Sequence, residues 1–392
     1  MTITIAAIIP TRNRASLAIA AVQSLLAQRV RIEIFLSDNS TDPEPLREFC
    51  RTEPRVRYLR PPVELSMPEH WDWAIRKAMA LSSASHFTVH YDRKFSKPGI
   101  WAELAAAASK RPDMLLTFSV DAIAHLPPPL RVWQTPWTGK LFTIRSARIA
   151  RLLAGGQVVA ISNALPLLSN CIVPRAVFDA IVERFGNVCS SSAPDAAFMT
   201  RFLALYDRYI HFDRATGILY GSTRSNGLGY LGSTGGDFGD FQKLWAGRPW
   251  MDAAPIPGIN LGSNMLFHEY ELVRRETGDR LPPLDPAGVL NDLSTELRWV
   301  DDPKRKADLR RILQEHGWNG AGPPPHPEYP PNAAAYQKQV LFRAKWFRVV
   351  PATISGFAFQ DDETALRYAL KYPRRAQKDA DHLAILEAEA NG

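Results

Sequence analysis

Ile5-Ala6-Ala7-Ile8-Ile9 runs into Pro10-Thr11-Arg12-Asn13-Arg14, and a second apolar-rich run from Ile32 ends in Leu36-Ser37-Asp38-Asn39-Ser40-Thr41-Asp42. Between them, Leu17, Ala21, Val22 and Leu25 recur at helical spacing within Ala15 to Gln28, which predicts a crossover helix laid on a sheet. Strand, polar turn, helix and strand make a β-α-β unit, and in open α/β sheets ligands sit at the carboxyl ends of the strands. The two polar turns therefore predict a nucleotide pocket close to the N-terminus.

The alternation continues downstream. Val56 to Leu59 is a short strand candidate ahead of Pro61-Pro62, and Trp71, Ile75, Ala78 and Met79 give a helix from Pro68 to about Leu81, with Ser66 as its cap. A strand from His86 to His90 leads into Tyr91-Asp92-Arg93-Lys94. A helix after Pro98, through Trp101, Leu104 and Ala108, precedes a strand from Met114 to Phe118. This order is that of an α/β protein with a mainly parallel sheet flanked by helices. Residues 119–165, with Pro127-Pro128-Pro129, Trp133 and Trp137, read as an irregular segment of the kind that lines an acceptor cleft. A helix is expected over Arg175 to Phe185, another through Phe198, Phe202, Leu205 and Tyr209, and a strand from Ala215 to Tyr220. Glycines 227, 229, 232, 235, 236 and 239 then mark a flexible stretch. Two helical stretches follow residue 255, and Pro323-Pro324-Pro325 and Pro330-Pro331 read as a stiff linker.

Bulk properties narrow the class. With 392 residues, 46% hydrophobic and 22% charged, the chain can bury a large core. No apolar run approaches the roughly 20 residues that span a bilayer, and no secretory leader is legible, so a cytoplasmic location is expected. Cys50, Cys171 and Cys189 have neither disulfide-framework nor zinc spacing and read as reduced core thiols. The net charge of +7 suits an anionic ligand or surface, but opposite charges are interspersed and nucleic-acid motifs are lacking, so nucleic acid is not an expected partner.

Five pieces in order resemble a family 2 glycosyltransferase with the GT-A nucleotide-diphospho-sugar transferase fold. They are Ile8 to Arg14, Leu36 to Asp42, Leu65-Ser66-Met67-Pro68-Glu69-His70-Trp71, Tyr91-Asp92-Arg93 ahead of Pro98-Gly99, and Ala193-Pro194-Asp195. The resemblance implies a GT-A, Rossmann-like unit over residues 1–230 that binds donor and acceptor. It leaves a glycine-rich and helical extension over 231–322 and a Pro-rich linker with a basic amphipathic segment over 323–392. The implied reaction moves a sugar from a nucleotide-diphospho-sugar to a glycan or glycolipid hydroxyl by inverting displacement. The competing class is a non-catalytic nucleotide-sugar or glycan-binding protein on the same scaffold.

Residue by residue, the resemblance implies that Thr11, Arg14 and Asp38 bind the donor nucleotide. A carboxylate accepts hydrogen bonds from a pyrimidine imide or a ribose hydroxyl; as an alternative, Asp38 and Asn39 make only an Asx turn. Asp195 matches the general base that takes the proton of the attacking hydroxyl, although an acid after Pro194 also suits a first helical turn. Arg224, in Ser222-Thr223-Arg224-Ser225-Asn226-Gly227, matches a loop that reaches the diphosphate, and an ordinary surface arginine fits equally. His70 stands where relatives carry asparagine and reads either as a donor contact or as a structural histidine.

The departure is at the acidic motif. Asp92 keeps the first acid, while Arg93 stands where the metal-binding carboxylate is usual. Two unit charges about 4 Å apart interact by roughly 4 kcal/mol at an effective dielectric of 20, so a divalent ion beside an inward Arg93 faces about 8 kcal/mol of repulsion. Three readings follow. Arg93 or Lys94 replaces Mn or Mg on the diphosphate; or Arg93 points away and Asp92, His90 and a distant His268 hold metal weakly; or the chemistry is lost and a binding cleft remains. Tyr336 to Val349 mixes Val340, Leu341, Phe342, Trp346 and Phe347 with Lys338, Arg343, Lys345 and Arg348, a stretch suited either to an anionic membrane face carrying a lipid-linked acceptor or to a packed helix.

Overall fold

The computed structural model describes residues 3–124, 131–133, 137–162, 164–189, 193–221, 243–246, 251–297, 300, 302–320 and 357–358. Strand β1 (Ile5–Thr11) is followed by α1 (Ala15–Leu26), β2 (Ile32–Asp38), α2 (Glu44–Thr52), β3 (Val56–Leu59), α3 (Met67–Leu81) and β4 (His86–Val89). The strands align in parallel as β3-β2-β1-β4, the arrangement expected of successive β-α-β units. Every residue of β1 is buried. Ile5, Ala7 and Ile9 belong to one core cluster with Val22, Leu25, Trp101 and Leu104, while Ala6 and Ile8 belong to another with Trp71, Ile75 and Phe198. This is the period-two alternation of a strand covered on both faces, which is why the N-terminal run is apolar throughout.

Beyond β4 the sheet becomes mixed. Next come β5 (Lys94–Ser96), α4 (Ile100–Ser109), β6 (Leu116–Ala124), β7 (Arg131–Trp133), β8 (Leu141–Arg145), α5 (Ser146–Ala154), α6 (Val158–Ile161), β9 (Cys171–Pro174), α7 (Arg175–Phe185), α8 (Pro194–Leu205) and β10 (Arg208–Gly221), with β11 (Phe357–Ala358) at the far edge. Strand β9 joins β4 to β6 antiparallel to both, whereas β10 lies parallel to β6 and antiparallel to β5 and β8. The α/β architecture and the helical C-terminal region are therefore as expected.

Three local expectations change. The segment 119–165 contains β8 and α5 rather than only irregular chain, because Phe142 and Ile144 alternate inward and Ile149, Ala150 and Leu153 bury one helical face. Tyr209 does not extend α8. It lies in β10 opposite Ile144, its hydroxyl donating to the Ala164 carbonyl at 2.6 Å. Helices over Gly262–Thr277, Pro286–Glu296 and Pro303–Glu315 take the place of the two stretches read after residue 255.

Tyr270, Leu293 and Leu313 of those helices join the same core cluster as Phe198 and Phe202, so this region shares a core with one face of the sheet. The closest approach is glycine on glycine. A Cβ at Gly288 would stand 2.3 Å from the Gly155 carbonyl oxygen, and one at Gly156, whose φ is +68°, 2.0 Å from the Gly288 oxygen. Gly288→Ala is expected to destabilise the protein by about 1–3 kcal/mol through overpacking, read as a lower melting temperature. An unchanged melt would show that the C-terminal helices are not docked this way.

Among the described residues no helix is long and apolar enough to cross a membrane. Arg224, the glycines from Gly227 to Gly239, the Pro-rich linker and the stretch Tyr336 to Val349 lie outside the described residues.

Candidate functional site

The carboxyl ends of β1, β2 and β4 form one rim, and its loops are tied together by their own polar groups. Thr11 pairs with Asp38 in register, and the Asn39 amide donates to the Thr11 carbonyl at 3.0 Å. Asn13 takes a left-handed conformation, with φ at 55°, that a short amide side chain tolerates. Its amide donates to Ser40 Oγ at 2.8 Å, and its Oδ1 accepts from the Thr41 amide at 3.0 Å and the Thr41 hydroxyl at 3.1 Å. Arg12 donates to the Asn39 carbonyl at 2.6 Å and pairs with Glu64 at 3.1 Å. Below this rim, α3 starts on a capping box in which the Glu69 carboxylate accepts from the Ser66 amide at 3.1 Å and hydroxyl at 2.6 Å.

Asp38 has no exposed surface. Its Oδ1 accepts from the Ser40 amide at 2.8 Å, which is an Asx turn, and its Oδ2 accepts from the Tyr58 hydroxyl at 2.8 Å and from Arg60 Nη1 at 3.4 Å. Arg60 Nη2 also donates to the Ser40 carbonyl at 2.9 Å. Burial, and then the Asp38 carboxylate, push the Tyr58 hydroxyl up to about 12, so it remains a donor. The carboxylate thus meets the solvent side of the rim through Tyr58 and Arg60, two residues the sequence did not single out. Their signal was Tyr58 in a strand next to β2.

Asp92 is the hub of the rim and is 4% exposed. Thr11 Oγ1 donates to its Oδ2 at 2.8 Å, and Arg14 Nη1 lies 3.4 Å from Oδ1 and 3.5 Å from Oδ2. Arg93 donates to the Tyr220 carbonyl at 3.0 Å, and its guanidinium lies over the Tyr91 ring at 5.3 Å. Burial lowers its pKa to about 10, with Asp92 opposing and Arg14 reinforcing that fall. Two guanidiniums therefore share the neighbourhood of one carboxylate. Lys94 turns elsewhere: its ammonium donates to the Ser169 carbonyl at 2.6 Å, faces the Phe118 ring and is pulled down to about 7 by burial.

Asp195 sits in the first turn of α8, where Pro194 suits the start of a helix and a carboxylate suits its positive end. Its Oδ2 accepts from the Tyr91 hydroxyl, and its Oδ1 from the Ser169 amide at 3.3 Å. Burial raises its pKa to about 7, against the opposing effect of the Ser169 and Leu168 amides. The Tyr91 ring rests 5.4 Å from that of Trp71 on α3. Tyr91 and Asp92 are chain neighbours, so Thr11, Arg14, Asp92, Arg93 and Asp195 are brought into one connected group, with Asp38 one strand away. Tyr91 and Ser169 complete that group without having been assigned a role from the sequence.

The histidines do not join it. His70 Nε2 is hydrogen-bonded to Ser37 Oγ at 2.8 Å, and burial, reinforced by Arg12, lowers it to about 3, so it is neutral and structural in setting. His90 bonds Ser96 Oγ at 3.1 Å and the Tyr91 carbonyl at 3.2 Å, while His268 Nδ1 accepts from the Ala253 amide at 3.0 Å. Among the described residues no three His, Cys, Asp or Glu side chains group as metal ligands. A lone carboxylate that already accepts from Thr11 and faces Arg14 does not fit a conventional divalent cation. Of the residues read as a weak metal set, His90 and His268 are each engaged with their own neighbours.

No protein-family model and no curated protein matches the chain. Among solved structures it is similar to S. aureus TarS 1-349 in complex with UDP-GlcNAc, at 15% identity and a TM-score of 0.45 over 80% of this chain and 87% of that one. The same fragment in complex with UDP is similar at 15% identity and 0.42 over 80% and 86%. The fragment described without a ligand gives 14% and 0.43 over the same shares.

Proposed function

We propose that this protein is an inverting glycosyltransferase of GT-A type that moves a sugar from a nucleotide-diphospho-sugar to a hydroxyl of a glycan or glycolipid, without a conventional metal site. The observation that carries the reading is the connection, through the adjacent residues Tyr91 and Asp92, of a carboxylate held near neutrality at Asp195 to the paired guanidiniums of Arg14 and Arg93.

The chemistry follows from charge. The acceptor oxygen attacks the anomeric carbon while the bond from that carbon to the diphosphate oxygen breaks, and the acceptor proton passes to Asp195. Negative charge grows on the departing diphosphate. Preorganised guanidiniums stabilise it by charge-assisted hydrogen bonds, as a metal would elsewhere. Asp38 contributes by orienting Tyr58 and Arg60 against the nucleoside, and Thr11 by fixing Asp92.

A base must be deprotonated to work, so kcat/KM is expected to rise with pH through about 7 and level off above it. A pH profile of kcat/KM for the acceptor, measured at saturating donor, checks this; a flat profile from pH 5 to 8 contradicts the base assignment. The reading as a whole is tested by calorimetry with a panel of nucleoside diphosphate sugars, each with and without manganese and EDTA, followed by product analysis with glycan and lipid-linked acceptors. Tight donor binding with neither transfer nor hydrolysis would favour the non-catalytic binding protein instead. No donor binding at all would overturn both.

A further inference from the structure

Tyr91 occupies a position that the proposed reaction leaves unexplained. Its ring lies 5.4 Å from that of Trp71 and 5.3 Å from the Arg93 guanidinium, and its hydroxyl donates to Asp195 Oδ2. Arg93 is in turn fixed by the Tyr220 carbonyl at the end of β10. One side chain thus touches α3, the guanidinium side of the rim and the first turn of α8.

We infer that Tyr91 is a positioning residue that sets the orientation and proton affinity of the Asp195 carboxylate and links it to the anion-binding guanidinium of Arg93, an inference that rests on the glycosyltransferase reading for its catalytic meaning. A phenol donates a stronger hydrogen bond to a carboxylate than to the neutral acid, so the bond favours the ionised base. The Ser169 amide donates to the other oxygen at 3.3 Å, so the two oxygens are held by different elements.

The surrounding charges are accounted for. Arg93 stacks on Tyr91; Lys94 lies beyond the Ser169 peptide, on its carbonyl. On the other elements packed against α8, Glu269 Oε1 accepts from the Ala193 amide at 3.2 Å and Asp72 Oδ1 from the Val188 amide at 2.6 Å. Tyr91 and the backbone amides of Ser169 and Leu168 donate to the carboxylate itself.

The test is a carbon-13 titration of the full-length protein labelled at aspartate carboxyls, with the Asp195 resonance assigned by its loss in Asp195→Asn. In Tyr91→Phe, which keeps the ring and its stacking, the Asp195 midpoint is expected to move up by about one to two pH units. Tyr91→Leu should give the same shift, and the acid limb of kcat/KM should move with it in Tyr91→Phe while the alkaline plateau is retained. Coincident Asp195 titrations in wild type and Tyr91→Phe would overturn the inference. That readout needs no donor or turnover, whereas the transferase reading fails separately, through absence of transfer in the wild type or full transfer in Asp195→Asn.

Discussion

Asp195→Asn is expected to lower kcat by about 10²- to 10⁴-fold, with donor affinity unchanged. The substitution keeps the size and the acceptor for the Ser169 amide but removes a carboxylate whose pKa stands near neutrality. An amide cannot take the acceptor proton as the new bond forms, so the attacking oxygen would leave the transition state carrying a positive charge. In the proposed reaction Asp195 serves the acceptor and the guanidiniums serve the diphosphate, so the loss is expected in kcat rather than in donor binding. Asp195→Glu restores the carboxylate but carries it one methylene further from the Ser169 amide, so it should fall between Asn and wild type. Rates of transfer and donor dissociation constants, measured on the same preparations with thermal melts as a control for folding, decide the matter. Equal turnover in wild type and Asp195→Asn would leave α8 with a carboxylate that merely complements its dipole.

Much of the rim was legible because strand ends announce themselves. Apolar runs of fixed period stop at Thr11 and Asp38, and the polar residues that follow can only lie at the sheet edge. The turn chemistry was equally local: the Asx turn at Asp38 and the capping box at Ser66 and Glu69 each span two or three residues. What the sequence could not disclose depends on register and on distant chain. Tyr58 and Arg60 reach Asp38 only because β3 pairs with β2 so that Leu36 faces Tyr58. Tyr91 meets Asp195 across 104 positions of chain, and no periodicity encodes that meeting. The direction of Arg93 is set by a carbonyl at Tyr220, which itself depends on the path of β10 beside β5. The strand β5 leaves little trace in the sequence because three residues, two of them lysine and serine, carry too little pattern.

Charge reversal at Arg93 yields the second large effect. If the guanidiniums do the work of a cation, then Arg93→Ala should weaken binding of a nucleoside diphosphate by about 10- to 100-fold, since a hydrogen bond to a charged group contributes roughly 1.5–3 kcal/mol. Arg14→Ala should weaken it as well, by loss of the guanidinium that lies 3.4 Å from Asp92. Wild-type binding should be insensitive to EDTA and should weaken as salt is raised. Arg93→Asp goes further. It sets a second carboxylate beside Asp92 and removes a positive charge, so the diphosphate would meet two anions and bind poorly on its own. Manganese would now have two adjacent oxygen donors and would recover part of the lost affinity in this variant alone. The comparison of wild type, Arg93→Ala and Arg93→Asp, each with manganese and with EDTA, therefore separates the two electrostatic solutions. A wild type that loses its donor on chelation, or an Arg93→Ala variant that binds as well as wild type, would mean that the guanidinium over Tyr91 faces protein rather than phosphate.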